Sequence, residues 1–202
     1  MNTKTAMIFL LMFLCFSCKA DNTNPGMKYK VDGSLKEDVE SNIGDMNGVP
    51  IGKLELRMYE DDVLTFDNFG DHEKGELFFM TECQNETISI IGIAGFTIAL
   101  GFYLDLNGDN YELTYMVKSD MAVYKYKEED TEMHFKLSVP CSYTSCILTS
   151  KPTFKKEDTV SGVVELKSDD FWYMANGKKS KFRVELKAYF IAKEFDLSMH
   201  DK

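Results

Sequence analysis

The chain is poor in the residues on which enzymes most often build nucleophilic and metal chemistry. It has three histidines, His72, His134 and His200, widely separated and in no ligand spacing. No zinc set and no Ser–His–acid grouping can be assembled from neighbours. It has no Gly-x-Ser-x-Gly turn and no glycine-rich loop leading into a helix, which removes the usual signatures of a serine hydrolase and of a phosphate cradle. Basic residues are scarce beside acidic ones, 23 against 33. That balance excludes nucleic acid as a partner, because phosphate binding needs basic patches, and it disfavours general attachment to an anionic lipid surface. Nowhere is there an apolar run of about 20 residues, the length a spanning helix needs.

What apolar run there is lies at the start. Met1-Asn2-Thr3-Lys4 puts one cation before Ala6 to Phe16, a short stretch without a polar face. A charged start, a short apolar core and a small residue at its end are the marks of a secretory signal peptide, read here as residues 1–17. The core closes on Cys15-Phe16-Ser17-Cys18. Ser17 followed by Cys18 resembles the lipobox of bacterial lipoproteins, in relaxed form because Cys15 stands where Leu is usual. The resemblance implies cleavage before Cys18, acylation of its thiol, and anchoring in a membrane, the outer membrane in gram-negative lineages. Several acyl chains hold a protein stably where one is marginal. Lys19-Ala20-Asp21 loosely resembles a surface-export signal, so a periplasmic and a cell-surface face are both open.

Loss of residues 1–17 removes one lysine, Lys4, and leaves 22 basic against 33 acidic residues. About 185 residues remain, enough for one domain. Three cysteines lie beyond the anchor. Outside the cytoplasm disulfides persist, and Cys141-Ser-Tyr-Thr-Ser-Cys146 is the expected pair, leaving Cys83 as a small hydrophobe. Residues 18–50 are rich in Asn, Asp, Gly and Ser, a composition that buries too little surface to order itself. They read as the lipidated N-terminus and a flexible tether, with Met27 to Val31 as at most a short edge strand.

From residue 51 to 202 the pattern has period two. Leu54 and Leu56, then Val63 and Thr65, then Phe135, Leu137 and Val139 alternate with residues of the opposite character. Glu76–Cys83, Thr87–Ile93, Val123–Lys127, Val160–Lys167 and Phe182–Ala192 are further runs of strand length and composition. No amphipathic helix is evident. Asn107-Gly108 is the preferred pair for a two-residue hairpin turn. Its register would set Leu104 opposite Tyr111, Phe102 opposite Leu113, Leu100 opposite Tyr115 and Ile98 opposite Val117, so apolar groups sort to one face. The same residues Asp105, Asn107 and Asp109 place oxygens at alternate positions, as calcium loops do, but Asn110 and Met116 stand where such a loop wants Gly and Glu. Asn176-Gly177 is a second turn pair, yet a simple register would put Lys167 opposite Leu186, which demands a bulge or a longer loop around Phe171-Trp172-Tyr173.

Short strands with close turns predict an all-β domain, an antiparallel sandwich with an up-and-down or lipocalin-like barrel as the alternative. Phe171, Trp172 and Tyr173, beside Asp169-Asp170, are the candidate binding loop, since exposed Trp and Tyr favour recognition. No catalytic group and no cofactor is indicated. Three functions fit: a lipid-anchored binding module for a protein or glycan, a carrier of a small apolar ligand, or an acidic inhibitor or protective protein against a cationic enzyme or toxin.

Overall fold

The computed structural model describes residues 26–46, 49–70, 75–95, 98–155, 158–175 and 177–193. The expected signal segment and Cys18 lie outside these residues. The described chain is almost all β. Its strands are β1 (Met27–Lys28), β2 (Lys30–Val31), β3 (Gly44–Met46), β4 (Val49–Glu60), β5 (Val63–Asp67), β6 (Gly75–Gln84), β7 (Thr87–Ala94), β8 (Ile98–Asn107), β9 (Asn110–Ser119), β10 (Tyr124–Lys125), β11 (Lys136–Val139), β12 (Cys141–Leu148), β13 (Thr159–Ser168), β14 (Phe171–Ala175) and β15 (Lys178–Lys193). One short helix, α1 (Lys36–Ser41), follows a 3-10 turn at Gly33–Leu35.

The strands join one sheet in the order β1-β9-β8-β7-β6-β4-β15-β13-β12-β2. All pairs in that order but β12–β2 are antiparallel, and β6 to β9 run as consecutive neighbours, as short hairpin connections require. The sheet folds over a single core, so its two halves face each other as in a sandwich. It is not a closed barrel, and the reason is local. β11 pairs with β9 from Lys136↔Lys118 to Val139↔Tyr115, then Pro140 ends that ladder. Proline has no N–H to donate, and beyond it β12 leaves for the edge of β13. Between β9 and β12 no ladder forms.

The hairpin β8–β9 carries the inner face as the sequence predicts, with one correction. The loop residues are Gly108 and Asp109, not Asn107 and Gly108, so Leu106 pairs with Tyr111, Leu104 with Leu113, Phe102 with Tyr115 and Leu100 with Val117. The shift is by two, which preserves the faces. It gives Leu106, fully buried, an apolar partner where the expected register offered Asp109. Gly108 alone takes positive φ, 57°, as a turn with glycine at its first central position requires.

Across the second turn pair, Ala175 pairs with Lys178. The register conflict is resolved by one extra residue between Ser168 and Phe171. Phe171 faces Phe182, but Lys167 faces Glu185 and Glu165 faces Lys187. Those cross-strand pairs are ionic, at 3.3 Å and 3.9 Å. Buried Ser168 covers the bulge by accepting the Val184 N–H at 2.9 Å.

The expected tether ends earlier than residue 50. β1 pairs with β9 and β2 pairs, in parallel, with β12. α1 sets Val39 on Val163 and Tyr189, on the side of β13 and β15 away from the main core. β3 pairs with β4. Composition concealed this because four apolar side chains, Tyr29, Leu35, Val39 and Ile43, suffice to dock a polar segment.

Phe79, Phe102 and Phe190 meet at centroid distances of 6.2–6.5 Å in the core. β7 and β8 approach so closely beside them that a Cβ on Gly101 would stand 1.8 Å from the Gly92 carbonyl oxygen. Gly101→Ala should therefore force the two strands apart and cost about 1–3 kcal/mol, read as a lower urea midpoint. An unchanged midpoint would contradict this packing.

Candidate functional site

The structure disperses the residues that the sequence singles out. Cys141 and Cys146 lie on one strand, β12, five residues apart. At about 3.3 Å per residue their Cα atoms are roughly 16 Å apart, and a disulfide needs about 4.4–6.8 Å. Both thiols are free, and the expected bridge does not form. Cys83, in no disulfide, donates to the Phe154 carbonyl at 3.6 Å. Phe171, Trp172 and Tyr173 are not a loop but strand β14. Phe171 is buried, with Tyr115, Tyr124 and Phe182 at 5.7–6.3 Å, and Tyr173 joins the same cluster. Trp172 takes the alternate side, under Lys179. Asp105 and Asn107 are engaged with Ser89 and Thr87 on β7 and its edge, while Asp109 pairs with Lys151 at 2.7 Å. The three side chains thus serve separate partners, Asn107 through its amide nitrogen, and among the described residues no group of three acidic, His or Cys side chains converges on a metal position.

The inner face of β8–β9 lines no open interior there. Phe102, Leu104, Leu106, Leu113 and Tyr115 pack with Leu137, Leu148, Leu186 and Phe190 in one cluster. Tyr115 and Tyr124 plug the end nearest β14. Burial pushes the Tyr124 hydroxyl up to about 12, and Tyr115 shifts the same way.

Above that plug the chain does what sequence reasoning missed. Among the described residues, five of the large apolar side chains left exposed, Ile98, Met121, Tyr126, Met133 and Phe135, lie opposite Ser119 or on the segment that follows it. Ile98 pairs with Ser119 across β8–β9. The Ser119 N–H donates to the Phe135 carbonyl at 2.8 Å, and the Met121 N–H donates to Ser119 Oγ at 3.3 Å. Ile98, Met121 and Phe135 therefore converge on one small buried residue. Next to them, the Val123 and Tyr124 N–H groups donate to the His134 carbonyl at 3.1 Å, and the His134 N–H returns to Tyr124 at 2.8 Å. This clip brings Tyr126 against the His134 ring, at 5.5 Å, and Met133 beside it. The five apolar side chains are 42–61% exposed, yet the backbone under them is hydrogen-bonded and rests on the aromatic plug.

The rim is acidic as well as apolar. Residues 119–135 carry Asp120, Glu128, Glu129, Asp130 and Glu132 against Lys125 and Lys127. Asp130 fixes the turn by accepting the Lys127 N–H at 2.9 Å, and Glu128 pairs with Lys179. Two signals in the sequence could have marked the rim. Met121 and Met133 stand alone in an acidic segment, and Phe135 extends an apolar alternation one step past the end of its strand.

At the opposite end a cleft of about 270 Å³ is lined by Glu86, Asn107, Gly108, Thr153 and Phe154. Phe154 has φ 58°, rare for so bulky a residue. Asp158 holds it there by accepting the N–H groups of Thr153 and Phe154 at 2.5 Å and 3.2 Å. Its described lining offers shape and hydrogen-bonding groups.

Burial raises the Cys141 and Cys146 thiols from 9.0 to about 12. The folded state then holds protons that the unfolded state releases, so the stabilisation is complete below pH 9 and is lost as pH rises toward 12. The thermal midpoint should fall progressively above pH 9, with Tyr124 adding to the fall above pH 10. A Cys141→Ala/Cys146→Ala variant should lose the part that begins at pH 9. A midpoint that stays level to pH 11 would contradict it.

Compared with protein families, curated proteins and solved structures, the chain matches none.

Proposed function

We propose that the protein is a lipid-anchored, extracytoplasmic binding module without catalytic activity, and that it engages a protein partner through the rim around Ser119. One observation carries this reading: five large apolar side chains stay exposed on a hydrogen-bonded, aromatically supported platform. Contiguous exposed apolar surface is costly to keep and marks interaction sites. Methionine suits a protein partner better than a glycan, because its flexible thioether adapts to apolar side chains and offers no flat stacking face. Phe135 and Tyr126 supply the rigid anchors that dominate interface energy. The carrier reading finds less support, since the face that would line its cavity is packed with side chains.

The acidic excess of the rim favours a cationic partner, the chemistry of the inhibitor or protective reading. Charge of this kind acts chiefly on association rate and is screened by salt.

A photo-crosslinking residue at Phe135 or Met121, introduced in cells that make the full chain, should give a discrete protein adduct. The same residue at Glu165, on the ion-paired outer surface of β13, should give none. Phe135→Asp should abolish the Met121 adduct while leaving thermal stability within about 1 kcal/mol of the parent, as expected for an exposed position. Equal labelling at all three positions, or none at the rim, would contradict the proposal.

A further inference from the structure

The segment Met27–Val31 forms a strap. Its first half pairs with β9, Met27↔Tyr111 and Lys28↔Asn110, and its second half pairs with β12, Lys30↔Ile147 and Val31↔Leu148. Tyr29, between them, is buried and donates its hydroxyl hydrogen to the Gly108 carbonyl at 2.8 Å. The chain therefore enters the domain at one end of β9, held on both sides.

From Cys18 to Gly26 there are eight residue steps. Fully extended, they reach about 29 Å at most. β9 runs from Asn110 at the strap to Ser119 at the rim. At about 3.4 Å per residue that is roughly 30 Å. A lipid on Cys18 thus keeps the strap end near the bilayer, and the full extent of the tether only matches the length of the domain.

The strap end also has the surface chemistry of a membrane contact. A second group of exposed apolar side chains, Met27, Val31 and Tyr143, lies along the strap and β12. The Met27 sulfur is 3.5 Å from Thr144 Oγ1, the residue after Tyr143 on β12. Lys28 and Lys30 are exposed on the strap, and Lys151 stands beside it, paired with Asp109. Against Asp32, Asp109 and Glu112 these three lysines make the face nearly neutral, whereas the rim segment has five acids to two lysines. An anionic bilayer repels the rim and tolerates the strap. Amphipathic lysine and tyrosine side chains suit the headgroup boundary, with apolar stems inward and polar tips in water.

We propose that the strap face, Met27, Lys28, Lys30, Val31 and Tyr143, lies on the lipid headgroups and that the Ser119 rim points away from them. This rests on the lipid-anchor reading. The contact is weak by itself and becomes occupied because the anchor raises its local concentration.

The full chain, expressed in bacteria fed a labelled fatty acid, is placed in vesicles of three parts phosphatidylcholine to one part phosphatidylglycerol with a headgroup nitroxide. A fluorophore is attached at Val31→Cys or at Met121→Cys, each in a Cys83→Ala background. Quenching at position 31 should exceed that at 121 at least threefold. Lys28→Glu with Lys30→Glu should reduce the quenching at 31 by half or more. Equal quenching at the two positions, or stronger quenching at 121, overturns the orientation. Quenching at 31 that the charge reversal leaves unchanged overturns the headgroup contact. A chain without label at Cys18 removes the anchor reading, and this inference with it.

Discussion

An open sheet edge is a row of unsatisfied amides and carbonyls, and this sheet has two that meet. β9 loses its partner where Pro140 stops β11, and β12 has β13 on only one side. The strap answers both edges at once, its residues 27–28 on one and 30–31 on the other. Side chains close what the ladder leaves, with Tyr111 Oη 3.1 Å from Thr144 Oγ1. Beneath that seam lies Cys146, almost wholly buried. Without the strap the edges would be free to pair with other chains, the hazard that edge strands carry. The core, the protection of Cys146 and the position of the chain's entry all depend on this five-residue segment.

A related device serves β4. β5 pairs with its far half and β6 with its near half, which leaves a gap at Glu55–Leu56. Asn68 fills it as a strand residue would. Its amide oxygen accepts the Leu56 N–H, its amide nitrogen donates to the Leu54 carbonyl, and its own N–H donates to the Leu56 carbonyl. In both places the sheet is completed by a short irregular piece, without a closed barrel. At the rim the backbone around Ser119 and His134 is hydrogen-bonded while the apolar side chains stay exposed.

Much of the fold was legible because strand faces follow a strict period. Phe102, Leu104 and Leu113 were assigned to the core side correctly, and an error of two residues in the turn could not move them. The bulge at Asp169–Asp170 was foreseeable from charge, because a lysine opposite a leucine was the wrong pairing and the observed ladder pairs it with glutamate. The strap was legible only as a short edge strand at Met27–Val31, which β1 and β2 bear out, and its role was not. Its polar composition resembled a linker, and its role depends on two strands more than 80 residues away meeting edge to edge. The cysteine pairing failed for a simpler reason: a loop of six residues looks closable in sequence but is an extended strand in space. The aromatic triplet misled because exposure was inferred from neighbouring aspartates, whereas alternation along β14 sends Phe171 inward and Trp172 to the other side.

The dependence of the whole on the strap can be measured directly. Amide hydrogen exchange is compared between the chain and a variant lacking Met27–Val31. The account predicts that the Tyr111 and Leu148 amides, which face the strap, lose protection together, while the β7–β8 ladder, on the far side of β9, keeps most of its own. Unchanged protection at those two amides would mean that β9 and β12 are held by something other than the strap.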